Sequence, residues 1–318
     1  MSSNQVAANP IVAPAWIGGD PASEKIRGVA RKLANTPSTL LIIGESGTGK
    51  DLLAGMIHYL GANCLEPLLR IDCATLPEAL IESELFGHEK GAFTGATSAK
   101  AGRLELAGQG TVVLDEVAAL TPAMQAKLLR VVDQRTFERL GGSATQKLEA
   151  RIMALTAADL ARGVADGSFR EDLYFRLSVI PVTIPPLRER RGDIRPLAEY
   201  FLGGLAPLHR SSARGFAPEA LWSLEAYEFP GNVRELRNII ERALVETKGE
   251  RIEPEHLPAF VSRAAGHAGD KLATLADVER EHIRRVLLTT RGRKSEAAAI
   301  LGISRKTLLE KRKRYHLE

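Results

Sequence analysis

The sequence predicts an α/β fold: a parallel sheet with helices on both faces, then a helical subdomain and a small basic three-helix unit at the C-terminus. Three observations carry this. Short apolar, β-rich runs alternate with helical patterns as far as Pro185-Pro186. Beyond that pair the strand patterns stop and three helical stretches follow. From Arg280 to Glu318, twelve Lys or Arg stand against four Glu, a net +8. The whole chain carries only +4, which leaves −4 for the rest. A basic tail on a slightly acidic body points to a polyanion partner for the tail alone.

Taken in order, residues 1–15 are small, Pro-containing and aperiodic, and read as disordered. Residues 26–33 place apolar side chains at helical spacing. The run TLLII at 39–43 ends in Gly44 and reads as a buried strand; 68–72, 111–114, 151–155 and 179–184 read likewise. Helical patterns lie between them at 51–60, at 122–132 and around Glu171. Helices over 194–205, 218–226 and 232–246 build the next subdomain. The α/β part is thus assigned to 16–186 and the helical part to 187–260. The small, polar stretch SRAAGHAGD marks a linker at 261–273, and the last unit spans 274–318.

In that unit 277–290 and the Ala-rich 294–301 read as helices. Gly302-Ile303 is the turn, and Ser304 caps a third helix running through Tyr315. Ala298, Leu301, Ile303 and Leu308 supply a small core. Arg305, Lys306, Thr307, Lys311 and Arg312 then face outward, giving cations for phosphates and polar groups for base edges of double-stranded DNA.

Composition narrows the class. With 44% hydrophobic and 26% charged residues the chain reads as soluble and globular. No apolar run approaches the roughly 20 residues that span a bilayer, and the start lacks the pattern of a secretory signal. A cytoplasmic location, with no membrane partner, is the expectation. Cys64 and Cys73 fall short of a disulfide framework or a zinc site and read as core residues in a reducing compartment.

One motif carries chemistry. Gly44-Glu45-Ser46-Gly47-Thr48-Gly49-Lys50 lies between an expected strand and an expected helix, the context of a phosphate-binding loop. Its amide groups would wrap ATP phosphates and Lys50 would reach the β- and γ-phosphates. Asp51 stands where a magnesium-binding Ser or Thr is usual. Sixty-five positions beyond Lys50, the strand at 111–114 ends in Asp115-Glu116. There Asp115 would hold Mg²⁺, and Glu116 would orient or deprotonate the attacking water.

Several longer motifs go further. GESGTGKD, SELFGHE at 83–89, Gly91-Ala92-Phe93-Thr94-Gly95-Ala96, GTVVLDE at 110–116, FREDLYFRL, PPLRERRGDI and PGNVRELRN together resemble the bacterial enhancer-binding proteins. These are AAA+ P-loop activators of sigma-54 RNA polymerase. The resemblance covers about residues 16–260, and a factor-for-inversion-like helix-turn-helix continues it. It implies ATP hydrolysis in a ring, usually a hexamer, that opens a blocked promoter complex. It also implies that Phe93 and Thr94, on the glycine-flanked 91–96 loop, touch the sigma factor. Arg170 and Arg176 resemble arginines that reach a neighbour's ATP, and Arg234 resembles a sensor arginine in the helical subdomain. An ion pair of Arg170 or Arg176 with Glu171 or Asp172, or a surface salt bridge of Arg234, is the alternative for these positions.

Two positions depart from the family. Asp72 occupies a place usually held by Asn, which restrains the catalytic glutamate, and Ala157 follows Thr156 where the sensor strand usually has Asn. Were Asp72 beside Glu116, two carboxylates would compete for ionisation and one pKa would rise, slowing hydrolysis or shifting its pH optimum. These departures leave open a DNA-binding regulator whose ATPase has decayed, or a subunit working beside a more active paralogue in a mixed ring. About 15 residues before the ATPase leave no room for a sensor domain, so control by a separate inhibitor or partner protein is expected.

Overall fold

The computed structural model describes residues 14–262, six positions between 279 and 290, and 294–315. The chain forms two compact units, one through Ser262 and one from Arg263 onward. In chain order the first runs α1 (Pro21–Leu33), β1 (Leu40–Ile43), α2 (Lys50–Tyr59), β2 (Leu68–Asp72), α3 (Glu78–Phe86), β3 (Gly87–His88), β4 (Lys100–Ala101), α4 (Arg103–Leu106) and β5 (Thr111–Asp115). It continues with α5 (Pro122–Gln134), β6 (Thr136–Glu138), β7 (Thr145–Lys147), β8 (Arg151–Thr156), α6 (Leu160–Ala165), α7 (Glu171–Leu177) and β9 (Ile180–Thr183).

Strands β2, β5, β8, β1 and β9 lie in that order in one sheet, every neighbouring pair parallel. Each central strand is apolar at successive positions because both faces are covered. Leu41, Val112, Leu114, Ile152 and Ala154 pack under α3, α5 and α7. Leu40, Ile42, Val113, Met153 and Leu155 pack under α1 and α2. The parallel arrangement brings the ends of β1, β5 and β8 to one edge, where ligands bind in open α/β sheets.

The helical subdomain consists of α8 (Ile194–Leu205), α9 (Pro218–Ala226) and α10 (Asn232–Glu246) around Leu197, Leu224, Phe229, Leu236 and Ile240. Their bounds are those read from the sequence. Strand structure does not vanish after Pro186, however. Gly215–Phe216 and Arg251–Ile252 form a two-residue parallel pair, too short to leave a periodic signal.

Helix α3 and the small hairpins β3–β4 and β6–β7 were also outside the sequence reading. In α3 the apolar residues Leu80, Ile81, Leu85 and Phe86 do not fall on one stripe, and Leu80 is exposed.

In the second unit, helices Lys294–Ile300 and Arg305–Arg314 bring Ala297, Ala298 and Leu308 against Ile283, Val286 and Leu287. Ser304 caps the last helix as expected, its Oγ accepting from the Thr307 N–H at 3.0 Å. Of the disorder expected for 1–15, residues 1–13 lie outside the described residues, as do 263–273 of the linker expected at 261–273 and most of the first tail helix. Residues 261–262 are helical instead, with Val261 buried in the core of the helical subdomain.

Candidate active site

Strand β1 ends at Ile43, and the Gly44–Gly49 loop turns into α2 at Lys50. Lys50 is 7% exposed. Its Nζ donates to the Gly44 carbonyl at 2.9 Å and lies 3.2 Å from Glu116 Oε1. Glu116 follows β5 directly, with a left-handed backbone at φ 52° that swings its side chain toward the loop. Its Oε2 accepts from the Ala157 N–H at 2.9 Å. The position after the sensor-strand Thr therefore holds Glu116 through a main-chain amide, which Ala supplies as well as Asn would. Thr156 is buried, and its Oγ1 accepts from the Ala158 N–H at 3.0 Å.

Asp72, weighed as a rival of Glu116 were the two side by side, has a local partner in its own turn. Asp72 sits opposite Asp115 in the β2–β5 register, and its Oδ1 accepts from the Ala74 and Thr75 N–H groups in its own turn. The carboxyl held above its usual range is Asp115. Burial is the main cause, followed by the nearby charges of Asp51 and Glu116. Asp51 in turn pairs with Arg70 at 3.1 Å.

A raised acid pKa means that ionising Asp115 costs folding energy. That cost is fully present above the folded-state pKa and vanishes below the ordinary carboxylate pKa. Asp115→Asn is thus expected to raise the melting temperature of the nucleotide-free, metal-free chain at pH 7. The gain should fade as the pH falls through the carboxylate range, and thermal melts across pH check it.

Two of the loop's polar side chains, Glu45 and Ser46, meet the helical part of the chain. Glu45 accepts from Arg188 Nη1 and Nη2 at 2.9 and 2.7 Å and from Asn232 Nδ2 at 3.1 Å. These partners hold its carboxyl down at about 2. Glu45 had been read as a phosphate-loop residue, yet its side chain is engaged by the lid. Ser46 Oγ accepts from Arg234 Nη1 at 2.9 Å, so the expected sensor arginine does meet the loop. Gly47, at φ 77°, has room for hydrogen only: a Cβ there would lie 2.4 Å from the Gly231 carbonyl oxygen.

Behind the loop lies a buried network that the sequence reading missed. Arg190 Nη2 donates to the Thr48 carbonyl at 2.7 Å and Nη1 to Asp193 at 3.3 Å. Asp193 also accepts from the Asp20 N–H and the Ser23 hydroxyl, and Ser23 accepts from Trp16 Nε1. Arg188 and Arg190 stood in a recognised motif, but partners some 140 residues away leave no local pattern.

The other expected residues lie on the surface. Arg170 pairs with Asp172 at 2.8 Å, the alternative foreseen for it, and Arg176 pairs with Asp133 at 2.6 Å. In the hexapeptide, Gly91 donates to the Ala96 carbonyl at 2.8 Å, closing a tight loop. Thr94 is exposed and Phe93 is 45% exposed, its ring edge-on to His88 at 5.0 Å.

In the tail Arg305 and Lys306 are exposed, and Thr307 and Arg312 are half-buried. Lys311 is a correction: it is turned partly inward and paired with Glu279.

Residues 16–183 match the family described as Sigma-54 interaction domain, 188–274 the AAA+ ATPase lid domain, and 274–315 the Bacterial regulatory protein, Fis family. The Transcriptional regulatory protein ZraR of Klebsiella oxytoca is 44% identical over 315 residues, which cover 98% of this chain and 71% of that protein. The Nitrogen fixation protein AnfA of Azotobacter vinelandii is 43% identical over 303 residues, 94% of this chain and 57% of AnfA. Among solved structures, NtrX from Brucella abortus in complex with ATP superimposes with a TM-score of 0.74 at 33% identity, covering 95% of this chain and 70% of that one. The chain belongs to the sigma-54-dependent transcriptional activators: it is an AAA+ ATPase that carries a Fis-type helix-turn-helix.

Proposed function

We propose that this chain hydrolyses ATP at the β1–β5–β8 edge and uses the energy to open promoter complexes held by sigma-54 RNA polymerase, while its tail holds upstream DNA. The observation that carries the chemistry is the placement of Glu116. It is suspended between the phosphate-loop lysine and the Ala157 amide, and its side chain stays 32% exposed. Lys50 and the loop amides would take the phosphates, and Glu116 would accept the water's proton as it attacks.

Among the described residues no cluster of three or more His, Cys, Asp or Glu could hold a metal alone. Asp115, with Asp51 close enough to raise its cost of ionisation, suits a hard cation completed by phosphate oxygens. Mg²⁺ held at Asp115 would neutralise charge on those phosphates.

A closed ring, a hexamer by family likeness, would bring Arg170 and Arg176 to a neighbour's γ-phosphate. Their pairs with Asp172 and Asp133 are solvent-exposed and screened, so exchanging them for a phosphate costs little. The cytoplasm of a bacterium is the compartment this activity requires. A decayed ATPase is the poorer reading, because the Ala157 amide keeps the tether on Glu116 and Asp72 Oδ1 is engaged in its own turn.

Open-complex formation with sigma-54 RNA polymerase, measured beside ATP turnover, tests the reading. Thr94→Ala is expected to abolish promoter opening while turnover stays within about threefold of wild type, since the loop tip touches neither Lys50 nor Glu116. Promoter opening by the variant at the wild-type rate would remove the 91–96 loop from the mechanism.

A further inference from the structure

We infer that Glu45 and Arg188 act as a positioning pair with two separable tasks: they latch the lid onto the phosphate loop, and Arg188 shields bound nucleotide from Glu45's own charge. The inference rests on the ATPase reading above and assigns roles to residues outside its chemistry.

The geometry is specific. Glu45 belongs to the loop, yet its carboxylate faces the lid, where Arg188 grips both oxygens. Asn232, at the start of α10, adds a third bond to the same carboxylate and donates to the Ser46 carbonyl at 3.0 Å. Its Oδ1 accepts from the Leu187 N–H at 2.7 Å. Asn232 is fully buried and held at φ 53°, a backbone strain that persists only where the surroundings fix it. Val233 N–H completes the contact on the Gly47 carbonyl at 3.0 Å. Two separate lid segments, at Leu187–Glu189 and at the start of α10, therefore converge on one side chain of the loop. The loop's conformation and the lid's seat, which delivers Arg234 to Ser46, are tied together.

The charge logic is independent of the mechanics. Glu45 stays ionised at every working pH. An unneutralised carboxylate in a loop whose amides receive phosphates would oppose the nucleotide, and Arg188 removes that opposition.

The two tasks predict an asymmetric mutant set, read as nucleotide Kd against kcat. Arg188→Gln exposes Glu45 and unlatches the lid, so MgATP binds about tenfold more weakly and kcat falls about tenfold, the scale of one uncompensated charge and one lost charge-assisted contact. Arg188→Lys keeps the charge but not the two-pronged grip: Kd holds within about threefold, and kcat falls. The Glu45→Gln/Arg188→Gln double variant should recover Kd to within about threefold of wild type while kcat stays low.

A double variant that binds as weakly as Arg188→Gln overturns the shielding role. Wild-type kcat in both Arg188 variants overturns the latch. A wild-type chain that neither binds nor cleaves ATP in any assembly sinks the proposed function instead, a result distinct from either.

Discussion

Replacing Glu116 with Gln is expected to cut ATP turnover by about 10²–10⁴-fold, the range supplied by a positioned general base. Gln keeps the size of the side chain, and its carbonyl oxygen can still accept from the Ala157 amide. The conformation at φ 52° is set by the main chain and persists. What disappears is the capacity to take a proton and the ion pair with Lys50. Freed from that pair, Lys50 has a stronger call on phosphate, so nucleotide affinity should hold or rise while hydrolysis stops. Single-turnover hydrolysis beside equilibrium binding separates the two. A variant within tenfold of wild-type turnover would move the base elsewhere.

The largest stability effect is expected at Asp193, far from the reacting atoms. Asp193 and Arg190 are 0% and 1% exposed, and Asp193 is the one carboxylate paired with that guanidinium among the described residues. Burial already lowers the arginine's pKa, a sign that its charge is costly to hold there. Asp193→Ala leaves that charge with the Thr48 carbonyl and the Trp16 ring, whose centroid lies 5.1 Å from it. The cost should be about 3–5 kcal/mol, the usual penalty for breaking a buried pair from one side. It should appear as a lower urea midpoint with an unchanged slope. The same change removes the acceptor for the Asp20 amide and the Ser23 hydroxyl, so the segment around Trp16 should become sensitive to proteolysis. A loss below about 1 kcal/mol would mean that Arg190 finds solvent or another carboxylate in the native state.

These two sites differ in how far the sequence revealed them. Glu116 was legible because its chemistry is local: a short apolar strand ends, and an acidic pair follows at a sheet edge. The strands of the sheet and the helices α8–α10 were legible for a related reason, since burial on both faces, or along one stripe, writes a period into the residues. Asp193, Arg190 and Trp16 were not. They are joined by bonds between segments more than a hundred residues apart, and a buried charge pair looks like any other Arg-x-x-Asp in a polar stretch. Asp72 shows a further limit. Its register opposite Asp115 puts it at the acidic edge, but the local turn that engages its carboxylate is not written in the strand pattern. Helix α3 was missed because its apolar side chains fall on more than one face.

The close approach of Gly47 to Gly231 has a consequence for reading lineages. A glycine demanded only by phosphate would be free to drift once hydrolysis was abandoned. Here a single methyl group would meet the opposing carbonyl oxygen at 2.4 Å and lift the lid from its seat. Selection for a properly folded body would therefore hold glycine at 47 even after turnover was lost, so an intact glycine there testifies to packing as much as to catalysis.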